Sequence, residues 1–143
     1  MRNILILIAL PLLMACAYAP MNESACSAST GNPIKIHYGD SQIKVTPPKY
    51  NVKKGEKLNF KLLADPGKGP DGLDYKTVTV SIVAKDTKNK NWLNLSGKDD
   101  GPANNVLTAC MPESQPTGPD KVISYMVKVE KVGELDPRVE VTP

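Results

Sequence analysis

At 143 residues, 41% of them apolar and only 5% aromatic, the chain has room for one domain with a largely aliphatic core. Its 18 basic and 15 acidic residues leave a net charge of +3. That is too even a balance to point to a nucleic-acid partner, which calls for a concentrated basic stripe with aromatic platforms.

The first residues, MRNILILIALPLLMACAYA, hold one positive charge at Arg2, an apolar run from Ile4 to Ala15, and then small residues. This is the layout of a secretory signal; a membrane span needs about 20 apolar residues. Leu13-Met14-Ala15-Cys16 resembles the lipobox of bacterial lipoproteins, with Met14 where the family prefers a smaller residue. The resemblance implies cleavage before Cys16 and lipidation of that cysteine, and Ala17 after it implies the periplasmic side of the outer membrane. Ordinary cleavage after Ala17, giving a secreted or periplasmic protein, is the competing reading. The expected division is a signal over 1–15, a tether over 16–32 and a β-sandwich over 33–143.

Loss of the signal removes Arg2 and no acid, so the mature charge is about +2. Of three cysteines, Cys16 is lipidated or lost with the signal, which leaves Cys26 and Cys110. An even remainder in an exported chain reads as a disulfide, here pinning the N-terminal arm to the domain. The alternative is two free thiols or a metal pair.

Along the mature chain, apolar and polar residues alternate, as they do where one face of a sheet is buried. Ile34, Ile36 and Tyr38 alternate with Lys35 and His37 in a first short strand. The organising stretch follows from Ser41 to Ala64, with Ile43 and Val45, then Tyr50 and Val52, then Leu58, Phe60 and Leu62 on the inward side. Pro47-Pro48 cannot donate ladder hydrogen bonds, and so marks an edge or a bend where a strand changes sheets. Lys54-Gly55 supplies a positive φ for a hairpin turn. Asp65 to Asp74 is a loop by composition. Tyr75 to Ala84 reads as one strand with Val78, Val80 and Ile82 on one face, and Trp92 to Leu95 as a short strand with Trp92 in the core. A second loop spans Gly97 to Asn105, a strand Val106 to Cys110, and a third loop Met111 to Pro119. Val122 to Val132 is the longest strand, Ile123, Tyr125, Val127 and Val129 facing in. Gly133 breaks it, and Val139 and Val141 form a last short strand. No stretch of the mature chain has helical spacing over three turns. The expected fold is all-β, a Greek-key sandwich of about eight strands.

The segment IKVTPPKYNVKKGEKLNFKLLA resembles the opening of cupredoxin-type domains, where a strand and a proline precede a V-x-x-G-[DE]-x-[LV]-x-F hairpin. Val52, Gly55, Glu56, Leu58 and Phe60 match that hairpin; immunoglobulin-like sandwiches share much of the same pattern. The copper site is not carried over with the resemblance. Type 1 copper uses two His, a Cys and an axial Met, whereas here the sole His is His37 and none follows Cys110. A looser Cu(I) site has only His37, Met21, Met111 and Met126 to draw on, and no cofactor is expected.

Asp71, Asp74, Asp99 and Asp100 lie in Gly-rich loops without the spacing of a calcium loop, and suit turn chemistry. No nucleophile, zinc or phosphate-loop motif occurs. Lys35, Lys44, Lys57, Lys61 and Lys128 fall between apolar neighbours and read as a solvated face that keeps edges unpaired. The expected function is a non-enzymatic envelope module that binds an envelope protein or a glycan through its three loops and binds no nucleic acid. The alternative is a periplasmic copper-handling protein of cupredoxin type.

Overall fold

A computed structural model describes residues 26, 31–40, 42–69, 71–115 and 121–142. These residues form ten strands: β1 (Ile34–Gly39), β2 (Gln42–Thr46), β3 (Lys49–Lys53), β4 (Lys57–Ala64), β5 (Val80–Ala84), β6 (Asn94–Gly97), β7 (Val106–Cys110), β8 (Val122–Val129), β9 (Gly133–Leu135) and β10 (Arg138–Thr142). One sheet has the order β2-β1-β4-β7; the other runs β3-β10-β8-β5-β6, with β9 also on β8. The expected all-β sandwich is present, with ten strands in place of about eight.

Alternation decides which side of each strand is buried. Ile34, Ile36 and Tyr38 of β1 and Leu58, Phe60 and Leu62 of β4 face Tyr125, Val127 and Val129 of β8 and Val80 and Ile82 of β5. At the centre Phe60 and Tyr125 meet edge to face across the two sheets, centroids 5.7 Å apart and rings at 70°. That geometry sets the positive rim of one ring against the negative face of the other.

Pro47-Pro48 does what its chemistry demands. β2 pairs antiparallel with β1 in one sheet, and β3 pairs parallel with β10 in the other. With no N–H on either proline, neither ladder continues through the step, and the strand divides there between the sheets. The Thr46–Pro47 peptide is cis.

The hairpin expected at Lys53–Glu56 is corrected. Gly55 does have a positive φ of 69°, and Glu56 N–H donates to the Lys53 carbonyl at 3.2 Å. Yet β3 and β4 belong to different sheets, so this turn carries the chain across the sandwich. It is stitched instead to the residue after β7: Gly55 N–H donates to the Met111 carbonyl (2.8 Å) and Met111 N–H to the Glu56 carbonyl (3.0 Å). Alternation reports the face of a strand and is silent about its partner.

Three further boundaries move. Residues Tyr75–Thr77 form a 3-10 turn capped by Asp74, whose Oδ1 accepts from Lys76 N–H, and the strand starts only at Val80. An Asp that bonds the backbone ahead of it outcompetes the sheet locally. The strand expected from Trp92 starts at Asn94; Leu93 is the fully buried plug, while Trp92 is half-buried and donates from Nε1 to Asn89 Oδ1 at 3.0 Å. Beyond β8, a turn at 130–132 leads into β9 and β10. Both pair with β8 in one register, from Val129↔Gly133 through Val127↔Leu135 to Ser124↔Arg138.

Cys26 and Cys110 form the expected disulfide, Cα atoms 5.8 Å apart and 84 residues apart in sequence. Between Cys26 and β1 the arm passes Gly31 against the Tyr50 ring, where any side chain would collide.

Candidate functional site

The strand directions sort the loops onto two ends. At one end lie the β1–β2 turn, residues 65–69 and 71–79, residues 98–105 and the turn 130–132. Hydrogen bonds join them: Ala64 N–H to Asp99 Oδ2 (2.9 Å), Leu62 N–H to the Asn105 carbonyl (2.7 Å), Asn105 Nδ2 to the Leu62 carbonyl (3.0 Å), Tyr75 Oη to Asp40 Oδ1 (3.2 Å) and Glu130 N–H to the Thr79 carbonyl (3.0 Å). At the other end lie the 53–56 turn, residues 85–93, residues 111–115 and the disulfide, where Asn89 Oδ1 accepts from both Trp92 Nε1 and Gln115 Nε2. Of the three loops expected to form one contact surface, the first two are neighbours. The third lies at the far end, and its residues 116–119 are outside the described residues.

Asp99 organises the first end. It is 8% exposed; one carboxylate oxygen takes the Ala64 amide and the other takes Gly101 N–H at 3.3 Å. A charged acceptor of two backbone amides makes strong bonds, on the order of 1.5–3 kcal/mol each. Asp99→Ala is therefore expected to cost about 2 kcal/mol and to speed hydrogen exchange at the Ala64 amide at least tenfold; an unchanged exchange rate there would discount the clamp. Outside this clamp is an open hollow of about 370 Å³ lined by Lys76, Thr77, Lys98, Asp99, Asp100 and Gly101. Its side chains are ammonium groups, carboxylates and a hydroxyl. They can bind a polar partner, and no nucleophile is paired with a base among them.

Tyr38 is buried beneath this end, its hydroxyl without a hydrogen-bond partner. Burial first, and then the Asp99 carboxylate, push its pKa up to about 12. Burial also raises Tyr125, whose hydroxyl is likewise unpartnered in the core. The folded chain holds both phenols neutral while the unfolded chain ionises from about pH 10. Stability is thus full below pH 10 and falls as pH rises towards 12, by up to about 1.4 kcal/mol per pH unit for each tyrosine. Denaturant titrations across that range check this, and Tyr125→Phe is expected to flatten the slope and, by removing an unsatisfied buried hydroxyl, to stabilise the neutral-pH fold by about 1 kcal/mol.

The candidate metal residues are spread through the molecule. Cys110 is bonded to Cys26. Met111 is fully buried at the disulfide end. His37 is exposed on β1 opposite Leu63, and Cys110 is opposite Lys57, six residues away along β4, or about 20 Å. Met126 is half-buried on the outer face of the other sheet. Cys16 and Met21 lie outside the described residues. Among the described residues no group of three His, Cys, Asp or Glu side chains could hold a metal ion, and Asp74 and Asp99 are engaged in capping backbone amides. No described helix is long and apolar enough to cross a membrane.

What fold and site define together is a disulfide-stapled, two-sheet β-sandwich with a polar loop end. No family model and no curated protein matches the chain. Among solved structures the chain is similar to a multi-copper oxidase from Pediococcus acidilactici, with a TM-score of 0.38 and 11% identity over 95% of this chain. It spans 30% of the oxidase chain.

Proposed function

We propose that this protein is a non-enzymatic binding module of the cell envelope, exported, held by lipid at Cys16 on the periplasmic side of the outer membrane, and stapled to its own N-terminal arm. One observation carries the reading: the arm is bonded at the Cys110 end, whereas the loops around Asp99 lie at the opposite end. Tether and polar loops are thereby separated, which leaves the hollow lined by Lys76, Lys98 and Asp100 free for a partner. That lining suits an envelope protein or a glycan. A cupredoxin-type topology is supported over an immunoglobulin constant type by parallel pairings in both sheets, β1 with β4 and β3 with β10, and by the strand divided at Pro47-Pro48. Copper handling draws no support from the scattered positions of His37, Met111 and Met126.

A photo-crosslinking residue placed at Lys98 in cells is expected to yield a discrete adduct that the same residue at Lys88, at the disulfide end, does not. No adduct from Lys98, or the same products from both positions, would overturn the loop assignment. Mass spectrometry of the mature protein checks the anchor separately: an N-terminus beyond Cys16 removes it.

A further inference from the structure

The strands β1, β2, β4 and β7 contain no Asp or Glu. Their outward face carries Lys35 and His37 from β1, Lys44 from β2, and Lys57 and Lys61 from β4, with Asp65, just past β4, beside His37 and Lys44 at one end. The pairing sets like against like at Lys35, which lies opposite Lys61. Like charges directly across a ladder are destabilising. The other sheet also sets Arg138 opposite Lys49, but there acids share the strands and offset the bases. Lys49 is bonded to Glu140 at 2.6 Å, and Lys128 is paired across the ladder with Glu134. Among the described residues the two ion pairs are Lys49–Glu140 and Lys85–Asp136, and neither involves the four-stranded sheet.

Edge protection does not account for this. A lysine on an edge strand keeps a sheet from pairing with another chain, and that covers Lys44 on β2. β1 and β4 are the two central strands, already paired on both sides, yet they carry Lys35, Lys57 and Lys61. Uncompensated charge on central strands costs stability and protects no edge.

We propose that this face docks on an anionic phospholipid surface, with Lys35, Lys44, Lys57 and Lys61 set against headgroup phosphates. The face is a sheet without an aromatic side chain on it, so it offers no platform for nucleic-acid bases. Lysines on flexible stems match a diffuse layer of phosphates better than a fixed ligand. Cys110 alternates with the inward Ala109, and so shares the outward side of β7 with Thr108. The arm held at Cys26 therefore leaves the domain at the margin of the lysine face. This part of the argument rests on the lipid-anchored reading: ten residues from Cys16 to Cys26 span at most about 35 Å, which keeps the face within reach of the bilayer. The loops around Asp99 then project along the membrane, towards a partner in the same surface.

The test uses the protein as isolated, on vesicles of phosphatidylcholine alone or with one third phosphatidylglycerol. Flotation with pure phosphatidylcholine reports the anchor and is independent of the face. Amine-reactive labelling read lysine by lysine reports the face. Labelling of Lys35, Lys44 and Lys61 is expected to fall at least about fivefold on the anionic vesicles and to recover at high salt, with Lys88 and Lys98 unchanged. Lys35→Gln with Lys44→Gln and Lys61→Gln is expected to weaken retention on anionic vesicles by about fivefold per lysine, read with unlipidated protein so that an anchor does not hold the variant on the vesicle. Equal protection of Lys49 and Lys128, no difference between the two vesicles, or tighter capture by heparin than by vesicles at the same salt would overturn the proposal.

Discussion

Phe60→Ala is expected to lower the unfolding free energy by about 3–5 kcal/mol, the largest loss from any single truncation in this chain. The ring is fully buried on β4 and meets Tyr125 of β8 edge to face, so it is where the two sheets hold each other. Truncation removes the transfer energy of the ring, leaves a cavity between Ile34, its register partner on β1, and Tyr125 of the facing sheet, and gives up the aromatic pair, itself worth roughly 1 kcal/mol. Thermal unfolding is expected to shift down by more than about 10 °C. Phe60→Leu, which keeps much of the volume, is expected to cost less than half as much. A Phe60→Ala loss below about 1 kcal/mol would mean that the ring is not wedged between the sheets.

Removing the staple is the second large effect. The pair Cys26→Ala and Cys110→Ala opens a link between residues 84 apart, which the chain-entropy relation values at about 4 kcal/mol. The cost arises mainly in the unfolded chain, which gains freedom when the long loop is opened. The amide infrared band of the folded protein is therefore expected to stay that of β-sheet while the denaturation midpoint falls sharply. Reductant added to the unaltered protein should reproduce the shift. If neither treatment moves the midpoint by more than about 1 kcal/mol equivalent, the crosslink does not restrain the unfolded ensemble.

The sequence made much of the fold legible because strands declare their buried side with every second residue. The inward sets Ile34-Ile36-Tyr38, Leu58-Phe60-Leu62 and Tyr125-Val127-Val129 can be read directly, and all are buried. So can the bend at Pro47-Pro48, because a missing N–H is a property of the residue itself. Trp92 was harder: a large ring suggests the core, yet its N–H needs a partner and finds Asn89 at the margin, leaving Leu93 to fill the interior. Asp74 is not legible as a cap, because Thr77, Val78 and Thr79 behind it have strong strand propensity. The clamp at Asp99 had no sequence signal, since Ala64 is 35 residues away.

By itself the sequence determined that this chain is all-β and which residues line its interior. These follow from local chemistry: period-two alternation and proline's missing donor. The tertiary structure alone decided that β3 and β4 part to different sheets, that two of three loops share one end, and that lysines scattered in sequence gather on one sheet whose strands contain no acid. Strand partners are chosen by long-range packing, and no run of neighbouring residues encodes which strand will lie alongside.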